Sequence, residues 1–217
     1  MIKIKTFTVN MIAENCYVVS DSTGEAVIID CGALTPEEQD EICSYILTER
    51  LTPRHLICTH AHFDHIFGVE FINRTYGLRP EMHAADMPLY AQAAQQTSSI
   101  LGQESTWSLP PVGTKLTNGD TVTFGTHQLA VIETPGHTPG GVCFYCAEEG
   151  VLFSGDSLFQ CSIGRTDLPG GNGPVLVDAL RSRILTLPPE TTVYPGHGPA
   201  THISYERKYN PYLRTEV

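Results

Sequence analysis

The chain has no apolar stretch approaching the roughly 18 residues needed to cross a bilayer and no basic run, and an export leader is not expected. Residues 2–9 alternate like a strand and lack the apolar core of a signal peptide. Basic residues are scarce: 13 Lys and Arg face 24 Asp and Glu, for a net charge of −11 and a pI near 5.2. Nothing there meets a phosphate backbone, so a nucleic-acid partner is excluded, as is a membrane one. A cytoplasmic location is expected. The seven cysteines are odd in number and scattered, which argues against a disulfide framework and for reduced thiols. Cys143 and Cys146 form a C-x-x-C, but they sit in a strand-like run, whereas redox pairs favour a helix start. Their expected role is packing.

What the chain does have is a dense ligand cluster. Residues 59–65 read Thr-His-Ala-His-Phe-Asp-His, bringing His60, His62, Asp64 and His65 within six positions. Neither a helical nor a strand period puts all four on one face. The cluster follows a short apolar run, His55-Leu-Ile-Cys-Thr59, so it lies at a strand's exit, where open α/β sheets place ligands. Neutral imidazole and carboxylate suit zinc and its borderline neighbours. Three further candidates occupy similar places. His137 lies in Thr134-Pro-Gly-His-Thr-Pro-Gly-Gly, Asp156 in Leu152-Phe-Ser-Gly-Asp-Ser, and His197 in Tyr194-Pro-Gly-His-Gly-Pro. Each follows a strand-like run and is braced by Gly or Pro. His83 stands apart from these motifs and reads as a supporting or surface residue.

At 217 residues the chain can bury a substantial core as one domain, 1–217, with no linker between halves. Strands are expected near 2–9, 15–20, 26–30, 55–59, 81–83, 121–124, 127–133, 141–147, 151–155 and 192–194. Helices are expected from Pro36, over 66–76, 86–94 and 174–186. Pro36-Glu-Glu opens the first helix with acids at its positive end, and Ile42, Tyr45 and Ile46 give it one packing face. Residues 95–114, with Trp107 and Pro110-Pro111, read as irregular: an active-site flap, a partner surface or a plain long loop.

The series His60-x-His62-x-Asp64-His65, His137, Asp156, His197 resembles the five metal-binding motifs of the metallo-β-lactamase superfamily. Within it the chain is similar to the small glyoxalase II-like hydrolases (hydroxyacylglutathione hydrolases), through Glu14-Asn-Cys-Tyr-Val, Gly164-Arg-Thr-Asp167 and Asn210-Pro-Tyr-Leu213. The resemblance implies an α+β fold, an αββα sandwich of two mixed sheets with helices on the outer faces. It also implies two divalent ions, zinc before iron or manganese. His60, His62 and His137 would hold one; Asp64, His65 and His197 the other; Asp156 would bridge them. Asp64 and Asp156 are the carboxylates assigned to catalysis. A water shared by such ions can reach a pKa near 7, and the bridging hydroxide would hydrolyse a small-molecule thioester of the S-lactoylglutathione type without a protein nucleophile. Ser154, Ser157 and Thr59 then have supporting roles.

Arg165 stands where glyoxalase II enzymes carry a basic residue against glutathione, so it is expected to meet a substrate carboxylate, with an ion pair to Asp167 as the competing role. Two departures weaken a strict glyoxalase II assignment. Asp167 replaces a substrate-contacting Tyr, and the carboxy-terminal helical domain is missing. The Gly-Arg-Thr-Asp stretch also resembles the persulfide dioxygenases. A mononuclear iron enzyme of that kind would need only His60, His137 and Asp156; Asp64, His65 and His197 then have no explanation. A scaffold with structural zinc would be richer in Cys. β-Lactam hydrolysis rests on fold analogy alone. The oligomeric state is left open.

Overall fold

A computed structural model describes residues 1–102 and 108–214. Two six-stranded sheets lie at its centre. The first has the spatial order β1 (Lys3–Val9), β2 (Glu14–Ser20), β3 (Glu25–Ile29), β4 (Thr52–Ile57), β5 (Pro80–His83), β6 (Lys115–Leu116). β1 to β3 pair antiparallel; β3 to β6 pair parallel. The second sheet is built from β7 (Thr121–Phe124), β8 (His127–Glu133), β9 (Val142–Cys146) and β10 (Val151–Gly155). The hairpin β11 (Leu158–Phe159) and β12 (Ser162–Ile163) follows outside it, and β13 (Thr192–Pro195) and β14 (Thr201–His202) complete it. Its order is β14-β13-β10-β9-β8-β7, with β10 and β13 parallel and the other pairs antiparallel.

Side-chain alternation assigns the layers. From β2, β3, β9 and β10, Tyr17, Val19, Val27, Ile29, Phe144 and Phe153 point between the sheets. Their neighbours Cys16, Val18, Ala26 and Ile28 point outward, under helices α1 (Pro36–Thr48) and α3 (Val69–Tyr76). Cys143 and Leu152 point outward on the other side, under α6 (Gly173–Ala179) and α7 (Ile203–Tyr209). Because these central strands are buried on both faces, they read as continuous apolar runs. The result is the expected αββα sandwich. Cys143 and Cys146 lie in separate core layers, so the C-x-x-C is a packing feature. Among the described residues no helix is long and apolar enough to cross a membrane.

Helix α1 begins with a reciprocal cap. Thr35 Oγ1 accepts from the Glu38 N–H, and the Glu38 carboxylate accepts from the Thr35 N–H. Ile42 and Ile46 are its buried stripe. The helix expected over 66–76 is instead two. Helix α2 (Phe63–Ile66) already contains Asp64 and His65, and α3 restarts after Gly68. At the break the Gly68 N–H donates to the Cys31 carbonyl and not to a carbonyl of its own helix, and the approach of Cys31 also requires glycine there, since a Cβ would lie 2.5 Å from its Sγ. The helix expected over 86–94 is also split, into α4 (Met87–Ala91) and α5 (Ala93–Leu101). Thus the first part of the segment read as irregular is helical, with Ala93 and Thr97 buried; Trp107 lies outside the described residues. The helix expected over 174–186 ends at Ala179 and continues as a π-helical turn, Leu180–Ile184. Helix α7, β14 and the β11–β12 hairpin had no counterpart in the sequence reading.

Candidate metal centre

Every sequence-derived ligand candidate lies at one edge of the sandwich, just past a strand. His60 and His62 follow β4, and Asp64 and His65 continue into α2. His137 lies in the β8–β9 loop, Asp156 follows β10 and His197 follows β13. The first sheet therefore brings four of these side chains and the second brings three.

Two sets of donor atoms converge there. His62 Nδ1 lies 2.8 Å, and His60 Nε2 3.3 Å, from His137 Nε2. Beside this group, Asp64 Oδ2 lies 3.6 Å from His65 Nε2 and 3.2 Å from His197 Nε2. In each set the candidate atoms all fall within 4.8 Å of one another. Asp156 stands between the sets. Its Oδ1 is 3.3 Å from His65 Nε2 and 3.7 Å from His197 Nε2, while its Oδ2 is 3.5 Å from His137 Nε2.

Protein oxygens behind the rings set the tautomers. His65 Nδ1–H donates to Asp30 (3.0 Å), His137 Nδ1–H to the Arg165 carbonyl (2.7 Å) and His197 Nδ1–H to the Ala13 carbonyl (3.2 Å). Thr59 donates its hydroxyl to Asp30 at 2.6 Å and so accepts from His60 Nδ1–H at 3.1 Å. Four rings thus turn an Nε2 lone pair inward, and His62 alone presents Nδ1. Supporting hydrogen bonds of this kind fix ring orientation in metal sites. Two buried atoms, His65 Nε2 and Asp156 Oδ1, have no hydrogen-bond partner. Uncompensated buried polar atoms are costly, and this facing pair fits cations held between them. The donor set and this pair together suit divalent ions. The third convergent set, Asp30 with His60 and His65, is different. Asp30 is already occupied by the Thr59 N–H and hydroxyl and by His65, so it is a support.

Electrostatics separates the two sets. Burial and neighbouring imidazoles push His60 well below its ordinary pKa, and burial pushes His62 down to about 4. Burial also opposes charge on His65 and His197, but the carboxylates Asp156 and Asp64 outweigh it and raise both. The same imidazoles overcome burial to hold the Asp64 and Asp156 carboxyls below the usual range.

Several supporting residues escaped the sequence reading. Asp30 ends the apolar run of β3, and an acid at a strand exit was the available signal. Asp86 is fully buried and accepts from the Ala61 N–H, the Thr138 hydroxyl and the Gly140 N–H, tying the His60–His62 loop to the His137 loop. Asn15 donates to the carbonyls of Pro195 and Gly198, and the Tyr17 hydroxyl donates to Pro195 at 2.6 Å; both clamp the His197 turn. Glu14 is buried beside His65, and burial pushes its carboxyl well up. His83 bonds Glu133 and Ala85, away from the centre. The Ser154 and Ser157 hydroxyls are engaged with the Leu158 carbonyl and with Thr134.

A cavity of about 500 Å³ opens over the donors, bounded by Ile12, Phe63, Phe159, Arg165 and Leu168. The Arg165 guanidinium is held bidentately by Asp167, at 2.8 and 2.7 Å, and both side chains are mostly exposed. Its backbone carbonyl is the part that touches the centre, through His137.

The family model of the metallo-beta-lactamase superfamily matches residues 10–197. The chain belongs to the metallo-beta-lactamase superfamily. Among similar relatives, a probable metallo-hydrolase of Bacillus subtilis, YqgX, is 35% identical over 97% of both chains. An uncharacterised protein of Mycobacterium leprae, ML0493, is 37% identical over 97% of this chain and 98% of its own. A hydroxyacylglutathione hydrolase of Haemophilus influenzae, GloC, is 29% identical over 98% and 99%. Of solved structures, the BLEG-1 B3 metallo-beta-lactamase is similar with a TM-score of 0.89 and 38% identity, over 98% of this chain and 100% of that one. A di-iron-bound form of TTHA1623 gives 0.84 and 38%, over 96% and 100%. ETHE1 of Myxococcus xanthus gives 0.78 and 26%, over 97% and 84%. Other superfamily members under 25% identity share the fold.

Proposed function

We infer that this metal-dependent hydrolase cleaves a small-molecule thioester of the hydroxyacylglutathione class at a centre for two divalent ions. The observation that carries the reading is the position of Asp156: its two oxygens face different donor sets, each already complete with three side chains. The GloC relative supports the substrate class. Zinc is the proposed pair, and the di-iron form of TTHA1623 makes iron the competitor to test. His60, His62 and His137 would hold one ion, Asp64, His65 and His197 the other, and Asp156 both. Bound there, the ions supply Lewis acidity and a water acidified toward neutrality.

The chain's own residues do the rest. Asp30 and the Arg165 and Ala13 carbonyls keep ring protons on Nδ1, so each Nε2 keeps its lone pair. Asp64 and Asp156 offset the cationic charge. Ile12, Phe63, Phe159 and Leu168 dry the cavity around the scissile group. Among the described residues, the hydroxyls near the centre are engaged elsewhere: Ser154 with the Leu158 carbonyl, Ser157 with Thr134 and Thr59 with Asp30. The departing thiol, with an ordinary pKa of about 8.5, needs little protonation. Asp167 takes the Nε and Nη2 side of the Arg165 guanidinium, so a substrate carboxylate would meet its Nη1 side or compete with Asp167.

The likeness to BLEG-1 favours a second reading, β-lactam hydrolysis at the same centre. The ETHE1 likeness lends lesser support to persulfide oxidation with one iron; the complete Asp64–His65–His197 set counts against it. The test is a zinc-loaded sample assayed on S-D-lactoylglutathione and on a chromogenic β-lactam, and an iron-loaded sample assayed for oxygen uptake with glutathione persulfide. Asp156→Ala is the blank. Thioester kcat/KM above about 10⁴ M⁻¹s⁻¹ is expected. Thioester turnover no better than the blank, with either other substrate consumed, would overturn the reading.

A further inference from the structure

A second cavity, about 300 Å³, adjoins the one over the donors and shares His62, Phe63 and Leu168 with it. A substrate whose carbonyl sits at the donor cluster can extend past Phe63 and Leu168 into this space. Its walls are mostly apolar, with Leu89 and Pro169 completing them. Apart from the shared His62, its polar groups are all of one kind. Gln92, Gln95 and Gln96 come from the start of α5, and their spacing of three and four residues puts them on one helix face. Gln96 Nε2 donates to the Leu89 carbonyl, which turns its amide oxygen to other use. A carboxamide both donates and accepts, and so complements an amide group.

Charge is what this cavity lacks. Among the described residues, no Lys, Arg, Asp or Glu lines it. The cation of the adjoining cavity, Arg165, is neutralised by Asp167. The whole chain carries −11, which repels anions at a distance. Glutathione presents two carboxylates, and a carboxylate brought here would lose water and find only neutral amide donors, with no cation to offset its charge. We propose that this cavity binds the thiol arm of the substrate, and that the arm is uncharged and amide-bearing, of the N-acylcysteamine class. The proposal rests on the thioesterase reading but replaces the glutathione arm named there with a neutral one.

The experiment compares S-D-lactoylpantetheine, a neutral arm with two amides, with S-D-lactoylglutathione, on the zinc-loaded full chain and on Gln92→Lys. Gln92 is exposed, so the substitution does not disturb the core. The pantetheine ester should have a kcat/KM about tenfold higher, mainly through KM, as one unpaired carboxylate would cause. Gln92→Lys should shrink or invert that ratio by lowering KM for the glutathione ester. It should also weaken binding of S-methylpantetheine, a non-hydrolysable thioether, measured by calorimetry. Equal or better use of the glutathione ester, or a ratio untouched by Gln92→Lys, overturns the neutral-arm proposal and leaves the thioesterase reading standing. Failure of both esters overturns both.

Discussion

In the set His60, His62 and His137, burial and neighbouring imidazoles hold the first two rings neutral, while Asp64, His65 and His197 mix a carboxylate with two rings whose proton affinity the acids raise. The supports differ as well. The first set is braced by Asp86 and the Arg165 carbonyl, on loops. The second is braced from β2, by Asn15 and Tyr17. Asp30 reaches both, directly to His65 and through Thr59 to His60. The contrast teaches that one site can have two half-sites of unequal proton competition while sharing one carboxylate. An ion held by the first set would meet His60 and His62 already neutral. One held by the second would have to displace protons from His65 and His197.

The largest break should come from Asp156→Ala. With the shared carboxylate gone, metal content should fall below one ion per chain and turnover by more than about 10³-fold, since several kcal/mol of Lewis-acid stabilisation go with it. Retention of two tightly held ions would refute its bridging role. Asp30→Ala should loosen both half-sites, with affinities down about 10- to 100-fold, as for other supporting partners. An effect confined to one ion would show that the Thr59 relay to His60 carries nothing.

A paired test sharpens the comparison. Asn15→Ala should weaken the second ion, and Asp86→Ala the first, each by about tenfold. Competition with a chromophoric chelator reads the two affinities separately, and crossed or equal losses would erase the distinction. Acidification should separate them too. His65 and His197 have pKa values raised above 6.5, so protons compete for them from neutral pH downward, whereas His62 stays unprotonated until about 4. The second ion should therefore leave first as pH falls, seen as a two-step release in a zinc-indicator titration. Simultaneous release would contradict it. The smallest effect should be that of Arg165→Ala. The carbonyl that orients His137 survives the change, and an exposed ion pair contributes about 1 kcal/mol or less. A KM rise beyond about tenfold would return the guanidinium to the substrate.

The ligand candidates were legible because they are local: a heptapeptide and three Gly- or Pro-braced turns. The alternation of apolar runs located most of the strands. The supports were not legible. Asn15 acts on residues 180 and more positions away, Asp86 on residues 52 and 54 away, and Asp30 on residues 29 and 35 away. A lone polar residue at a strand end looks the same whether it faces water or a partner from the other sheet. The break at Gly68 was hidden for a similar reason, since its cause is Cys31, on the far side of α1 in sequence. Helix α5 was missed because Gln, Thr and Ser are frequent in its sequence, and over its described side chains, 93–98, the buried positions are Ala93 and Thr97.

The division of the centre between the sheets, four side chains from the first and three from the second, has a consequence for how the protein matures. A nascent chain exposes residues 60–65 long before His137, Asp156 and His197 have been synthesised. An ion captured early would meet only a partial shell. The last donor would arrive when β13 docks beside β10 and the His197 turn reaches the Ala13 and Asn15 clamp. A chain ending before His197 should therefore retain metal less firmly than the full chain.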